Sequence, residues 1–187
     1  MKYTVKPILF FLLGLVAFTA CNDDENQTTW DEYKEWREDN SAFFEEKKFL
    51  MTPEGTNYYQ TITPAWNSTA QVLIRYLNDR SLTAGNLSPM LTSTVDVKYI
   101  GRLYNGEAFD SSYNLKVNGD SIFRTSLTSL IQGWQIALVN MHVGDSVEIV
   151  LPYNMGYGTT QSGIIKPYST LIFNLKLVDI PYYEVRP

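Results

Sequence analysis

The chain has 187 residues, a formal net charge of −5, 14% aromatic residues and one cysteine. The acidic balance argues against binding to nucleic acid or to an anionic lipid surface, and a lone cysteine excludes an intramolecular disulfide framework. A chain of this size can bury one substantial hydrophobic core, so we expect one globular domain behind an N-terminal extension.

The N-terminus has the composition of a secretory signal. Two lysines precede an apolar run, Ile8–Phe18, and small residues then lead to Cys21. This order predicts a signal peptide over residues 1–20, since the run is shorter than the roughly 20 residues of a membrane-spanning helix. The small residues before Cys21 resemble the lipobox of bacterial lipoproteins, which implies a lipid on Cys21 and an extracytoplasmic, outer-membrane location on the periplasmic or surface face. A leftover thiol in a removed peptide is the alternative. The polar, acidic residues 21–28 are expected to be a flexible tether.

Residues 29–50 are predicted to form a helical extension, because aromatic side chains recur there at three-, four- and seven-residue spacings. Thr29 and Glu32 form a capping-box pair at its start. Asn40 and Ser41 leave open whether the extension is one helix or two. Docking onto the protein's own domain is favoured over a dimerisation or client-binding arm, since isolated helices of this length are marginal in water.

Residues 51–187 are predicted to form the globular domain. Runs of β-branched, aromatic and alternating apolar residues predict strands, and one stretch with helical spacing, Leu130–Met141, predicts a short helix. The predicted strands cover residues 57–63, 71–77, 92–104, 146–151 and 170–180. Mostly antiparallel strands with one short helix indicate an α+β fold.

The residue inventory gives little support for acid–base, nucleophilic or metal chemistry. The only histidine, His142, precedes a Val-Gly turn and is expected to be solvated there. No histidine is placed to activate Ser111 or Ser112 beside Asp110. One histidine and no cysteine in the domain cannot supply a zinc site, and the acids lack the spacing of a calcium loop. We therefore expect neither a metal nor a cofactor.

The segment NMGYGTTQSGIIKP, residues 154–167, could be a phosphate-binding loop or the lip of an apolar pocket. It lacks the third glycine of a dinucleotide fingerprint and the Lys-Ser/Thr pair of a P-loop, and a predicted strand follows it instead of a helix. Ile164, Ile165 and Pro167 make its end apolar. The apolar lip is therefore the favoured interpretation.

Four segments together carry a family resemblance in their order and spacing. They are residues 95–112 (VDVKYIGRLYNGEAFDSS), 130–134 (LIQGW), 137–151 (ALVNMHVGDSVEIVL) and 153–175 (YNMGYGTTQSGIIKPYSTLIFNL). They resemble the FK506-binding-protein (FKBP) class of peptidyl-prolyl cis-trans isomerases, with a core at residues 91–180. The resemblance implies an FKBP-like twisted antiparallel β-sheet wrapped around a short α-helix, with the active site between helix and sheet.

The resemblance also implies which residues form the site. The Asp110 carboxylate would lie beside the twisting amide and hold Tyr99, while the Ile131 N–H and the Tyr157 hydroxyl would bond client carbonyls. Trp134 would form the floor under the proline ring. The implied substrate-binding residues are Phe109, Phe123, Leu130, Trp134, Ile164, Ile165 and Phe173.

The implied function is accelerated rotation of X-Pro bonds in secreted or outer-membrane clients, with proline-containing polypeptides and FK506-like macrolides as ligands. The sequence departs from the family at Ser121, Gln161 and Lys166, where phenylalanine, histidine and proline are common. We expect these changes to affect client preference and macrolide affinity. A non-catalytic proline-peptide-binding or chaperone module on a lipid anchor is the main alternative, and an adhesin-like lipoprotein is a third.

Overall fold

The computed structural model describes residues 29–183. Residues 33–183 belong to one compact unit, and the helical residues 29–32 belong to another. The predicted signal peptide, Cys21 and the tether lie outside the described residues. Within the described part of the chain, no helix is both long and apolar enough to cross a membrane.

Within residues 29–183, seven antiparallel strands form one sheet, and this confirms the predicted fold class. In chain order they are β1 (Gln60–Ile62), β2 (Val72–Tyr76), β3 (Thr94–Leu103), β4 (Ala108–Ser111), β5 (Phe123–Ser126), β6 (Ser146–Leu151) and β7 (Leu171–Asp179). The spatial order is β1-β2-β6-β7-β3-β4, and β5 also pairs with β3. The helices are α1 (Lys34–Lys48) and α2 (Gln132–Leu138), with 3-10 turns at Arg80–Leu82, Leu127–Ser129 and Tyr153–Met155.

The inner face of the sheet holds the main core. Along β3 the apolar side chains point inward at alternate positions, as the period of a strand requires, and the buried ones are Val95, Val97, Tyr99 and Leu103. Helix α2 covers this face. Gly133 permits the close approach, because a Cβ atom there would lie only 2.5 Å from Cδ2 of Leu151.

Helix α1 is continuous through Asn40 and docks onto the outer face of the same unit. The Asn40 side chain is 1% exposed, and its Oδ1 accepts a hydrogen bond from the Thr170 backbone N–H at 2.6 Å. The Thr170 hydroxyl donates to the Asn40 carbonyl at 3.0 Å. Phe44 packs with Tyr59 and Val150. Asn40 is accommodated within the helix because its side-chain oxygen accepts from the Thr170 N–H, just before β7, while its side-chain nitrogen donates to the Trp36 carbonyl one turn earlier.

The sequence patterns missed β4 and β5 and misplaced some boundaries. Both missed strands have only four residues and no apolar alternation. The predicted helix Leu130–Met141 is shorter in the structure, since α2 ends before Val139.

The prediction that His142 is solvated is wrong. Its side chain is 26% exposed, and its Nδ1 lies 2.9 Å from Nη2 of Arg80 and 3.7 Å from Oδ2 of Asp145. The turn that carries His142 closes onto the 3-10 turn at Arg80–Leu82, where Nη2 of Arg80 also donates to the Asn140 carbonyl at 3.3 Å. His142 therefore belongs to a polar cluster around the buried Asp145.

Candidate active site

A cavity of about 260 Å³ lies between α2 and the inner face of the sheet. Its lining residues are Tyr99, Phe109, Asp110, Phe123, Ser129, Leu130, Ile131, Trp134, Tyr157 and Phe173. The structure thus brings together every active-site residue proposed from the sequence except two. Those two, Ile164 and Ile165, line an adjoining depression that shares Phe109, Asp110 and Tyr157 with the cavity.

Aromatic rings in edge-to-face contact form a cluster around the base of the cavity. Trp134 on α2 is 3% exposed, and its ring meets those of Tyr99 and Phe173 edge-to-face at 5.0 and 5.1 Å. Phe109 meets Phe173 at 5.5 Å with the planes at 90°. Edge-to-face pairs are favoured because the positive edge of one ring faces the negative face of the next. The Nε1 donor of Trp134 is buried without a hydrogen-bond partner among residues 29–183.

Gly101 on β3 supports this cluster from behind without lining the cavity. A Cβ atom at this position would lie 2.6 Å from Cζ of Phe109 and 2.8 Å from Cε1 of Phe173. The absence of a side chain is what lets both rings reach their positions. A glycine inside a strand often marks such a close approach, so this signal was present in the sequence but was not used.

Asp110 is the charged residue of the cavity lining, and it is positioned by β4 opposite Gly101. Its Oδ2 accepts a hydrogen bond from the Tyr99 hydroxyl at 2.6 Å, and its Oδ1 accepts one from the Ser111 backbone N–H at 2.7 Å. Burial, together with the bond to Asp110, raises the pKa of Tyr99 well above its usual range. Tyr99 therefore keeps its proton at neutral pH and holds the carboxylate in place.

Tyr157 stands at the cavity rim and is 39% exposed. Burial of its hydroxyl and the nearby charge of Asp110 raise the pKa of Tyr157, so the hydroxyl remains a hydrogen-bond donor. The loop is fixed by a hydrogen bond of 2.9 Å from the Tyr168 N–H to the Gly158 carbonyl. Gly158 has a φ of +65°, a conformation that glycine adopts at no steric cost.

The start of α2 forms the opposite wall. Ile131 is the N-cap residue, and the Leu130 carbonyl accepts a hydrogen bond of 2.7 Å from Nε2 of Gln135. This bond fixes the segment that enters the helix. Ser129, which also lines the cavity, was missed, because nothing in its local pattern separates it from other turn residues.

The two isoleucines of the lip differ in exposure. Ile164 is 50% exposed, whereas Ile165 is 4% exposed and belongs to the main core. Ser162 and Ile165 exchange two backbone hydrogen bonds of 2.9 Å, which close the turn between them. Only Ile164 of the pair is therefore presented to solvent beside the cavity.

The arrangement can hold an apolar ring on an aromatic floor and bond polar groups at the rim. Over residues 29–183, no group of three or more His, Cys, Asp or Glu side chains is placed to hold a metal ion. The cavity resembles small-ligand sites, which are mostly apolar with a few oriented polar groups.

Comparisons with known proteins identify one family. The family model described as FKBP-type peptidyl-prolyl cis-trans isomerase matches residues 85–178. The chain is 40% identical over 112 residues to the peptidyl-prolyl cis-trans isomerase Mip of Coxiella burnetii, covering 59% of this chain and 47% of that protein. It is 39% identical over 95 residues to FK506-binding protein 4 of Dictyostelium discoideum, covering 49% and 24%. The chain thus spans less than half of either relative.

Solved structures show the same fold. A peptidyl-prolyl cis-trans isomerase from Pseudomonas syringae superposes with a TM-score of 0.62 at 24% identity, covering 79% of this chain and 95% of that one. FkpA from Escherichia coli superposes with a TM-score of 0.61 at 25% identity, covering 83% and 65%. Because the matched family model covers half of the chain and the predicted motifs lie within it, the chain belongs to the FKBP-type peptidyl-prolyl cis-trans isomerase family.

Proposed function

We propose that the chain accelerates the cis–trans rotation of X-Pro peptide bonds in polypeptide clients. The observation that carries this proposal is the cavity of about 260 Å³, in which an aromatic floor lies next to a single carboxylate bonded to Tyr99. The size and apolar character suit a proline ring. Membership of the family supports the same reaction.

The chemistry requires stabilisation of a twisted amide relative to a planar one. Resonance gives the peptide bond a rotation barrier of about 18–20 kcal/mol, and X-Pro bonds exchange spontaneously in tens to hundreds of seconds. The twisted transition state has lost this resonance, and its carbonyl is a weaker hydrogen-bond acceptor. A dry aromatic cavity disfavours the planar amide, which water solvates better, and so lowers the barrier.

The polar groups orient the client in this mechanism. The proline ring lies on Trp134, the Asp110 carboxylate lies beside the rotating amide, and the Ile131 N–H and Tyr157 hydroxyl bond the flanking carbonyls. No proton transfer or covalent step is needed. The raised pKa values of Tyr99 and Tyr157 are in keeping with groups that act as fixed donors.

A protease-coupled assay tests the proposal. The full chain, purified in mild detergent, should accelerate cis–trans conversion of a proline tetrapeptide above the uncatalysed rate, and an FK506-like macrolide should compete for the cavity. Circular dichroism of the same sample serves as the control for folding. No acceleration by a folded sample would contradict catalysis and favour the non-catalytic binding module.

The proposed clients are secreted or outer-membrane proteins, which a lipid on Cys21 would bring within reach. The sequence order of basic, apolar and small residues before Cys21 supports this location. Cys21→Ser should move the protein from the membrane fraction to the soluble fraction of the producing cell. Unchanged membrane association of Cys21→Ser would contradict lipid anchoring.

A further inference from the structure

A short segment, residues 166–170, joins the lip of the cavity to β7. It begins directly after the turn that Ser162 and Ile165 close with two backbone hydrogen bonds (the lip turn), and β7 begins at Leu171. Within the segment only Lys166 is exposed, and the four residues after it are buried. Whatever holds this segment therefore also sets the position of the lip turn next to it.

Trp36 on α1 is bonded to this segment through two successive hydrogen bonds. Its Nε1 donates to the Ser169 hydroxyl at 3.1 Å, and that hydroxyl donates to the Lys166 carbonyl at 2.7 Å. Ser169 is buried, so water does not compete for its hydroxyl. The bonds between Asn40 and Thr170 hold the other end of the segment. Helix α1 is thus joined to the residue that directly follows the lip turn.

The Lys166 side chain makes a second contact with Trp36. Its Nζ lies 4.7 Å from the centroid of the Trp36 ring, within the range of cation–π attraction. Tyr104 meets the same ring edge-to-face at 5.0 Å. A proline at position 166, the residue common in the family, would place no cation over this ring. The departure from the family at Lys166 is therefore matched by an aromatic ring on the N-terminal extension.

We infer that Trp36 is a positioning residue for the cavity: through Ser169 and Lys166 it holds the lip turn and so keeps Ile164 at the rim. Trp36 lines neither the cavity nor the depression that adjoins it, whereas Ile164 lines the depression. The effect on clients rests on the proposed isomerase function.

The centre of the cavity is held by other contacts. Trp134 packs on Phe173, and Asp110 is bonded to Tyr99. Loss of the Trp36 contacts therefore loosens the lip without moving the floor or the carboxylate. A change of this kind weakens client binding and leaves the rotation step as it is, which appears as a higher KM with an unchanged kcat.

The test compares variants on the full chain in mild detergent. For Trp36→Leu, KM for a proline tetrapeptide should rise about fivefold, which corresponds to about 1 kcal/mol, while kcat stays at the wild-type value. Trp36→Phe retains a ring for Lys166 and loses only the indole donor, so its KM should rise about twofold. Phe44→Leu is the matched control, because Phe44 is 6% exposed on the same helix and packs with Tyr59 and Val150. It should lower the denaturation midpoint and leave KM unchanged.

Hydrogen–deuterium exchange provides a measurement that does not depend on activity. The amides of Ser162 and Ile165 donate to each other's carbonyls, so their protection reports whether the lip turn is held. Both amides should exchange faster in Trp36→Leu than in the wild type, and at the wild-type rate in Phe44→Leu.

The outcomes separate this inference from the proposed function. In an active enzyme the inference requires both the higher KM and the faster lip exchange in Trp36→Leu, with neither in Phe44→Leu, and any other pattern would overturn it. If the folded wild type fails to turn over the tetrapeptide, the isomerase proposal fails instead. The exchange of the lip amides then decides alone: faster exchange in Trp36→Leu only would support the positioning role, and equal rates would overturn it.

Discussion

The carboxylates of Asp110 and Asp145 occupy two regions of the molecule with opposite surroundings. Asp110 is exposed at the cavity and has two hydrogen bonds, from Tyr99 and from the Ser111 N–H. Asp145 is 0% exposed. It accepts hydrogen bonds from Thr83 Oγ1, Asn78 Nδ2 and the His142 N–H, and it pairs with Arg80.

The Asp110 carboxylate is therefore available to a ligand in the cavity, whereas the Asp145 carboxylate is bonded entirely within the fold. Burial alone would raise the pKa of Asp145, but the hydrogen bonds from His142, Thr83 and Asn78 and the charge of Arg80 outweigh it and hold the pKa below its usual value. A buried charge is tolerated only when its bonding capacity is met. Asp110 keeps part of its capacity open beside the cavity.

The largest expected effect is on stability, from Asp145→Ala. This change leaves the Thr83 hydroxyl and the Asn78 amide without their buried acceptor and should lower the free energy of unfolding by about 2–4 kcal/mol, since a buried donor left unsatisfied costs about 1–3 kcal/mol. Urea denaturation measures the loss. Asp120→Ala, which removes an exposed carboxylate, should leave the denaturation midpoint at the wild-type value. Equal free energies of unfolding in Asp145→Ala and Asp120→Ala would contradict a stabilising role for the buried Asp145 carboxylate.

The next effect is on turnover, from Asp110→Ala. Removal of the carboxylate should lower kcat/KM for a proline tetrapeptide about tenfold or more, since a hydrogen bond to a charged group contributes about 1.5–3 kcal/mol. The denaturation midpoint should change little, because the side chain is exposed. Equal activity in wild type and Asp110→Ala would show that this carboxylate has no part in the reaction.

The smallest effect is a change in acid sensitivity, from Asp145→Asn. Because the pKa of Asp145 is lower in the folded state than in the unfolded state, the stability that its charge contributes is complete above about pH 4 and is lost as the pH falls through the folded value. The neutral variant lacks this pH-dependent contribution to the free energy of unfolding. Its free energy of unfolding, measured in urea from pH 6 to pH 3, should therefore decline less steeply than that of wild type. Parallel plots of the free energy of unfolding against pH for the two proteins would contradict this role of the Asp145 charge.

Much of the fold could be predicted because long strands alternate clearly. The pattern of β3 and the run of β6 gave their positions to within two residues, and the motifs around Tyr99 and Trp134 led to the cavity. Short strands were missed, since four residues such as those of β5 are half-buried throughout and show no period. Their pairing with β3 decides their conformation.

The polar cluster could not be predicted for a different reason. It joins Asn78, Arg80 and Thr83 to Asp145, which lies more than 60 positions further along the chain. No local pattern reports such a contact. His142 was placed in solvent for the same reason, because a turn sequence states nothing about the loop that packs over it.

Gly101 affects the size of the cavity although it contributes no side chain to the lining. Even with Phe109 and Phe173 unchanged, a single methyl group at position 101 would displace both of their rings. A substitution at this position would therefore change the shape of the cavity while every lining side chain is retained. Because Gly101 has a hydrogen atom in place of a side chain, the sheet itself sets the positions of Phe109 and Phe173 and so the width of the cavity.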